Sequence, residues 1–68
     1  MTNVIVLKDK FSYLFDGYEK FFLVDDKENI LDVDKMIVKN IYLWKCAKPG
    51  DKVEIAVAGS RINITKIN

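Results

Sequence analysis

Hydrophobic residues alternate with other residues most regularly near the end of the chain, in "VEIAV" at 53–57. This period of two is typical of a β-strand with one buried face. Gly59-Ser60 follows and suits a two-residue type I′ or II′ turn. A returning strand then pairs Val57 with Ile62 and Ile55 with Ile64. The pattern predicts a C-terminal hairpin with five apolar residues on its buried face: Val53, Ile55, Val57, Ile62 and Ile64.

A second hairpin is predicted in "FSYLFDGYEKFF" at 11–22. Asp16-Gly17 favours a type I′ turn, because both central positions of that turn need a positive φ. The turn places Phe15 opposite Tyr18, Tyr13 opposite Lys20 and Phe11 opposite Phe22. A helix is the alternative, since several of these aromatic residues also fit a period of 3.6. A glycine inside that helix would cost about 1 kcal/mol, and the aromatic content favours strands.

Shorter segments between and before the hairpins complete the predicted sheet. The β-branched run "NVIVL" at 3–7 predicts a buried strand. "DDKEN" at 25–29 predicts a polar turn, and "ILDVD" at 30–34 predicts another strand. Asp32 and Asp34 would share the solvent-facing side of that strand. The acidic cluster lacks the glycine and closing glutamate of an EF-hand loop, so we expect no calcium site.

Residues 35–48 fit a helix better than a continuous strand. Met36, Ile37, Ile41 and other apolar residues fall on one side of a helical wheel, with lysines opposite. Asp34 is a candidate N-cap, and Pro49-Gly50 would end the helix. The β-branched residues leave a compromise open, in which a strand runs to about residue 38 and helical turns follow. Trp44 is expected to lie in the core.

The segment 48–67 resembles the closing hairpin of the AbrB/MazE type of bacterial DNA-binding barrels. In both, a short helix precedes a glycine–aspartate turn, seen here in "PGDKVEI" at 49–55, and then two strands. The basic, arginine-bearing first hairpin that contacts DNA in that family has no counterpart in this chain. SH3-like and OB-like barrels have the same order of strands.

Together these elements predict one mainly β domain, with a small α+β arrangement as the alternative. We expect five or six short antiparallel strands in meander order, forming an SH3-like or OB-like partly closed barrel. One short helix within 35–47 precedes the C-terminal hairpin. The length of 68 residues is that of a single small domain.

Composition narrows the chemistry that is available. The chain has no histidine and a single cysteine, Cys46, which removes the usual general base, the usual metal ligands and any internal disulfide. We therefore expect no enzymatic activity, no cofactor and no metal. Cys46 is expected to be a buried small residue in a reducing cytoplasm. No segment is apolar enough to predict a membrane span.

Charge disfavours a dedicated nucleic-acid binder, because the net charge is only +1 and ten lysines accompany the single arginine, Arg61. The charge is also segregated: residues 25–34 carry five acids and one lysine, and residues 35–48 carry four lysines and no acid. Such an abrupt change predicts a polarised surface that docks a charged partner. The bias toward lysine, isoleucine and asparagine is typical of AT-rich genomes, including those of phages and mobile elements.

These features predict a non-enzymatic protein-binding module, a small intracellular regulator, inhibitor or adaptor. The alternatives are a barrel that binds single-stranded nucleic acid and a structural subunit that forms homo-oligomers through exposed strand edges. The residues expected to contact a partner lie on the aromatic hairpin, at the change of charge and on the predicted helix: Tyr13, Tyr18, Lys20, Asp32, Asp34, Lys35, Lys39 and Tyr42.

Overall fold

Five strands and one helix make up the computed structural model, which describes residues 2–68. In chain order they are β1 (Thr2–Phe15), β2 (Tyr18–Asp25), β3 (Ile30–Val33), α1 (Val38–Cys46), β4 (Lys52–Ala58) and β5 (Arg61–Ile67). The strands close into a barrel in the order β1-β2-β3-β5-β4. The prediction of a mainly β barrel with one short helix before the C-terminal hairpin is confirmed.

One strand pairing differs from the predicted antiparallel meander. β3 and β5 pair in parallel through Val33 and Ile62, while the other four pairings in the barrel are antiparallel. The pairing is parallel because of the long connection between β3 and β5. The chain leaves β3, forms α1 and β4, and then returns as β5 in the same direction as β3. A crossover of this length is what a parallel pairing requires.

The first strand is longer than predicted. Residues 3–7 and 11–15, expected to be separate strands, belong to the single strand β1. The β1–β2 register is irregular between Leu7 and Asp9. Residues 2–6 pair with β4, whereas Leu7 and the residues from Asp9 onward pair with β2. One strand therefore serves two neighbours, which lets five strands close the barrel.

The hairpin at 11–22 is confirmed, and the helical alternative is wrong. Phe15 pairs with Tyr18 and Phe11 with Phe22. Asp16 and Gly17 have φ values of 52° and 79°, as a type I′ turn requires. Turn chemistry and strand alternation agree here, so the local sequence determines the register.

The C-terminal hairpin has the predicted register, with Ile55 opposite Ile64 and Val57 opposite Ile62. One member of its predicted buried face is wrong, because Val57 is 49% exposed whereas Ile55 is 3% exposed. The β1–β4 pairing ends at Ala56, so Val57 lies beyond the neighbouring strand in the part of the chain that the structure describes. The other four predicted residues belong to the core, whose buried apolar members are Leu7, Phe21, Leu23, Val33, Ala47, Val53, Ile55, Ile62 and Ile64.

The helix begins later than the sequence suggests. Its N-cap position is Ile37, which makes no side-chain cap, so the assignment of Asp34 as N-cap is wrong. Asp34 instead accepts a hydrogen bond from the backbone N–H of Met36 through Oδ1 at 3.0 Å. Because Met36 and Ile37 precede the helix, both are exposed rather than on its buried side as predicted.

Asn40, on α1, closes the gap between the end of β3 and the edge of β5. The residue is 1% exposed. Oδ1 accepts the backbone N–H of Ile64 at 3.0 Å, and Nδ2 donates to the Asp34 carbonyl at 2.8 Å and to Asn63 Oδ1 at 3.1 Å. One amide therefore satisfies three polar groups at the point where the barrel has its shortest pairing.

Trp44 packs against the core, as predicted, and anchors α1 to β2. Its ring meets Phe21 edge-on at 4.9 Å between centroids, and Nε1 donates to the Phe22 carbonyl at 2.9 Å. Lys10 reaches the end of the helix from β1 and donates from Nζ to the carbonyls of Trp44 and Lys45 at 2.8 and 2.9 Å. Cys46 is exposed, because it lies on the solvent side of α1. The prediction that it is buried is therefore wrong.

The polar segment at 25–29 forms the predicted turn around one carboxylate. Asp25 Oδ1 accepts the backbone N–H groups of Lys27 and Asn29 at 2.9 and 2.8 Å, and Oδ2 accepts the Asn29 side chain at 2.9 Å. The Asn29 side-chain hydrogen bond is the main cause that lowers the pKa of Asp25, and the backbone N–H groups add to it. Asp25 therefore has a structural role in this turn.

Candidate functional site

Aromatic rings cover the outer face of the β1–β2 hairpin. Phe22 stacks on Phe11 with ring centroids 4.9 Å apart, and on Tyr13 with centroids 5.4 Å apart. Phe15 and Tyr18 continue the same face toward the turn, since they are cross-strand partners. We call these five residues the aromatic face. It is unusual for a small domain to leave so many large rings at its surface, and such patches mark interaction sites.

The aromatic face lies on the outside of the barrel, and the end of the hairpin that carries Phe15 and Tyr18 also extends beyond the barrel. β2 pairs with β3 only from Phe21 to Val24, and β1 pairs with β4 only from Thr2 to Val6. The outer part of the hairpin therefore has no further strand beside it among residues 2–68. Phe15 and Tyr18 are 58% and 62% exposed. Leu14, on the opposite face of the same ribbon, is exposed for the same reason.

A cleft of about 340 Å³ lies between the hairpin turn and the segment that follows β3. It forms where β3 ends at Val33 and residues 18–20 of β2 are paired with β1 but not with β3. The residues that line it come from three parts of the chain: Phe15, Asp16, Tyr18, Lys20, Asp32, Val33, Lys35, Met36 and Arg61. The cleft therefore continues the aromatic face and adds charged groups to it.

Two lysines of the cleft lie over its aromatic rings. The Nζ atom of Lys35 is 4.1 Å from the centroid of the Tyr18 ring, and that of Lys20 is 5.0 Å from the Phe15 ring. These distances are typical of cation–π contacts. The contacts hold both ammonium groups at the cleft.

The charges of the cleft are only partly compensated within the chain. Arg61 lies 3.7 Å from a carboxylate oxygen of Asp34. Within residues 2–68, the ion pairs do not include Lys20, Lys35, Asp16 or Asp32. The cleft therefore presents two ammonium groups and two carboxylates that are free to pair with a ligand.

Four of the predicted contact residues meet in the cleft, namely Tyr18, Lys20, Asp32 and Lys35. Asp34 adjoins it through Arg61, and Tyr13 belongs to the stacked part of the aromatic face. Lys39 and Tyr42 are exposed on α1 and do not line the cleft.

Sequence reasoning missed Arg61, Met36, Asp16 and Phe15 as site residues. The hairpin register had already placed Phe15 on the aromatic face, and the turn signal had marked Asp16, so both could have been added. Arg61 reaches the cleft because β5 lies beside β3. That parallel pairing has no local signal in the sequence.

Residues 2–68 contain no group of three histidine, cysteine, aspartate or glutamate side chains that could hold a metal ion. Asp25, whose pKa is lowered, is at the turn after β2 and not in the cleft. Over the same residues, no helix has the length and apolar character needed to cross a membrane.

Comparison of the chain with protein-family models, curated proteins and solved structures finds no match.

Proposed function

We propose that this protein is a non-enzymatic protein-binding module, a small regulator, inhibitor or adaptor, that binds its partner through the aromatic face and the adjoining cleft. The observation that carries the proposal is the continuity of these two surfaces. Stacked rings of Phe11, Tyr13 and Phe22 lead directly to a cleft lined by Phe15 and Tyr18. Large aromatic side chains contribute most of the binding energy at many protein interfaces.

The charged groups of the cleft suit this role. Protein interfaces surround an apolar centre with a polar rim. Here Lys20, Lys35 and Asp32 adjoin the exposed rings of Phe15 and Tyr18. Residues with both signs of charge favour one orientation of a partner and disfavour others.

Selection from a random-peptide display library tests the proposal. The full chain is immobilised sparsely, and bound peptides are compared between the unchanged chain and the variants Tyr13→Ser and Tyr18→Ser. We expect the unchanged chain to enrich peptides whose binding falls by at least about tenfold in both variants, since each variant removes an aromatic contact.

Tyr42→Ser is the matched control, because Tyr42 is an exposed tyrosine on α1 outside the cleft. Peptide binding should be unchanged in this variant. Enrichment of no peptides, or equal loss of binding in all three variants, would count against the proposal.

Single-stranded nucleic acid is a second candidate ligand, favoured by one observation. Lys20 and Lys35 lie over aromatic rings on the outer face of a barrel, and stacking surfaces with nearby cations bind unpaired bases. The net charge of +1 and the two carboxylates of the cleft weigh against it. Fluorescence anisotropy with labelled single-stranded oligonucleotides at low salt tests this candidate, because electrostatic attraction is strongest there.

We further propose that the protein acts in the cytoplasm of a cell with an AT-rich genome, encoded by a phage or mobile element. A single cysteine is compatible with a reducing compartment, and the abundance of lysine, isoleucine and asparagine supports the genomic origin. Fractionation of cells that express the tagged chain tests the location. Recovery with the membrane or exported fraction would contradict it.

A further inference from the structure

The cleft has charges of both signs in equal number outside internal ion pairs. Lys20 and Lys35 supply the ammonium groups, and Asp16 and Asp32 the carboxylates. A polyanion or polycation would find half of these groups repulsive. A partner with the same mixture of charges can pair with all four.

A second copy of the chain has that mixture. In a dimer with two-fold symmetry, both copies use the same surface patch. If a first residue of one copy contacts a second residue of the other, then the second residue of the first copy also contacts the first residue of the other. The lysines of one cleft would then meet the aspartates of the other, and the converse. A surface with balanced charges outside internal ion pairs supplies both signs that this arrangement needs.

The aromatic face supplies the apolar contact that such a dimer needs. Interfaces of homodimers are more apolar than the rest of a protein surface. Tyr13, Phe15 and Tyr18 are 44%, 58% and 62% exposed. A standard interface buries about 800 Å² on each partner, and the total accessible surface here is 4586 Å². An interface of about 800 Å² on each copy would need both the aromatic face and the cleft.

The unpaired edge of the outer hairpin also favours association with a second copy. β2 from residue 18 to 20 is paired only with β1 in the described chain. Unpaired strand edges that are not covered favour association with another chain.

We propose that a second copy of this chain docks on the aromatic face and cleft, forming an isologous dimer. Lys20 and Lys35 of one copy face the Asp16 and Asp32 carboxylates of its partner, with the aromatic rings at the centre. The inference rests on the proposed function, since it names the protein that the same surface binds.

Exchange of the charges tests the proposal by sedimentation equilibrium of the full chain. One variant is Lys35→Glu and the other is Asp32→Lys, which exchange a lysine and the carboxylate that it faces across the interface. Each variant alone places like charges across the interface, so we expect its dimer to be at least about tenfold weaker than that of the unchanged chain. An equimolar mixture of the two variants restores opposite charges at both ends and should recover a dimer.

Recovery in the mixture also shows that both variants fold. Lys39→Glu is the matched control, because Lys39 is exposed on α1 outside the cleft, and its dimer should match that of the unchanged chain. A chain that is monomeric at about 1 mM, well above the concentration at which a weak dimer forms, would overturn the inference. A dimer that is insensitive to the exchange, or not recovered by mixing, would also overturn it.

The peptide selection separates this failure from failure of the proposed function. If the chain stays monomeric but binds peptides through Tyr13 and Tyr18, the inference is wrong and the proposed function stands. If it stays monomeric and instead binds oligonucleotides at low salt, the nucleic-acid candidate replaces both.

Discussion

The side chain of Asn40 is hydrogen-bonded to the backbone of Ile64, with Oδ1 accepting the N–H at 3.0 Å. This bond joins α1 to β5 on the side where β5 has only one paired residue with β3, Ile62 opposite Val33. The helix therefore completes the barrel with a side chain where strand pairing is shortest. A buried polar group in this position stabilises the barrel only while all its partners are present.

Replacement of this amide should destabilise the fold. Asn40→Ala leaves the Ile64 N–H without its partner and removes the donor to the Asp34 carbonyl. We expect the free energy of unfolding to fall by about 2–3 kcal/mol, the cost of leaving buried polar groups unsatisfied. Urea denaturation measures it. Lys39→Ala, the adjacent exposed position, is the control, and equal stability of the two variants would contradict the role of Asn40.

The end of α1 should depend on a lysine from β1. Lys10→Met keeps most of the alkyl chain but removes the donors to the Trp44 and Lys45 carbonyls. We expect a loss of about 1 kcal/mol in the free energy of unfolding, typical of a net hydrogen-bond contribution. Urea denaturation followed by tryptophan fluorescence measures it. Lys66→Met, at an exposed position of β5, should change stability little, and an equal loss there would point to general charge effects.

The turn after β2 should make stability depend on acid pH. Hydrogen bonds from Asn29 lower the pKa of Asp25 in the folded protein. The unfolded chain therefore binds the proton more readily, and stability is full above the ordinary aspartate pKa. The contribution declines as the pH falls below that value and is lost once the pH passes the folded-state pKa. Urea denaturation at a series of pH values from neutral to acid measures this decline.

Asp25→Asn is the control for this pH effect. The amide does not titrate, so the part of the acid-induced decline that belongs to Asp25 should disappear. An identical pH dependence in the two proteins would show that other carboxylates cause the decline.

Two residues on the same face of β4 should respond differently to truncation. Ile55→Ala creates a cavity in the core and should cost about 2–5 kcal/mol. Val57 is 49% exposed, and Val57→Ala should cost about 0.5 kcal/mol or less, as exposed positions do. Thermal or urea unfolding of the two variants checks the difference. A large loss for Val57→Ala would mean that this end of the hairpin is covered in solution.

The two hairpins were determined by local sequence. Asp16-Gly17 selects a turn with positive φ at both central residues, and Gly59-Ser60 selects another two-residue turn. Because each turn sets the register of its own strands, the cross-strand pairs could be predicted residue by residue. The face that carries Phe11, Tyr13, Phe15, Tyr18 and Phe22 follows from that register.

Tertiary structure alone decided which of these residues are covered. The alternation of β4 is the same at Ile55 and Val57, yet among residues 2–68 only Ile55 has a strand on both sides, β1 and β5, and lies in the core. Asn40 gave no sign in the sequence that it would be buried, since its role depends on the position of β5. The cleft, likewise, exists because β3 ends at Val33, so that residues 18–20 of β2 extend past it. Arg61 lines the cleft because β5 pairs in parallel with β3. The alternation of apolar residues and the turn sequences indicate how residues close in the chain are arranged. Burial also depends on where strands that are distant in the sequence end.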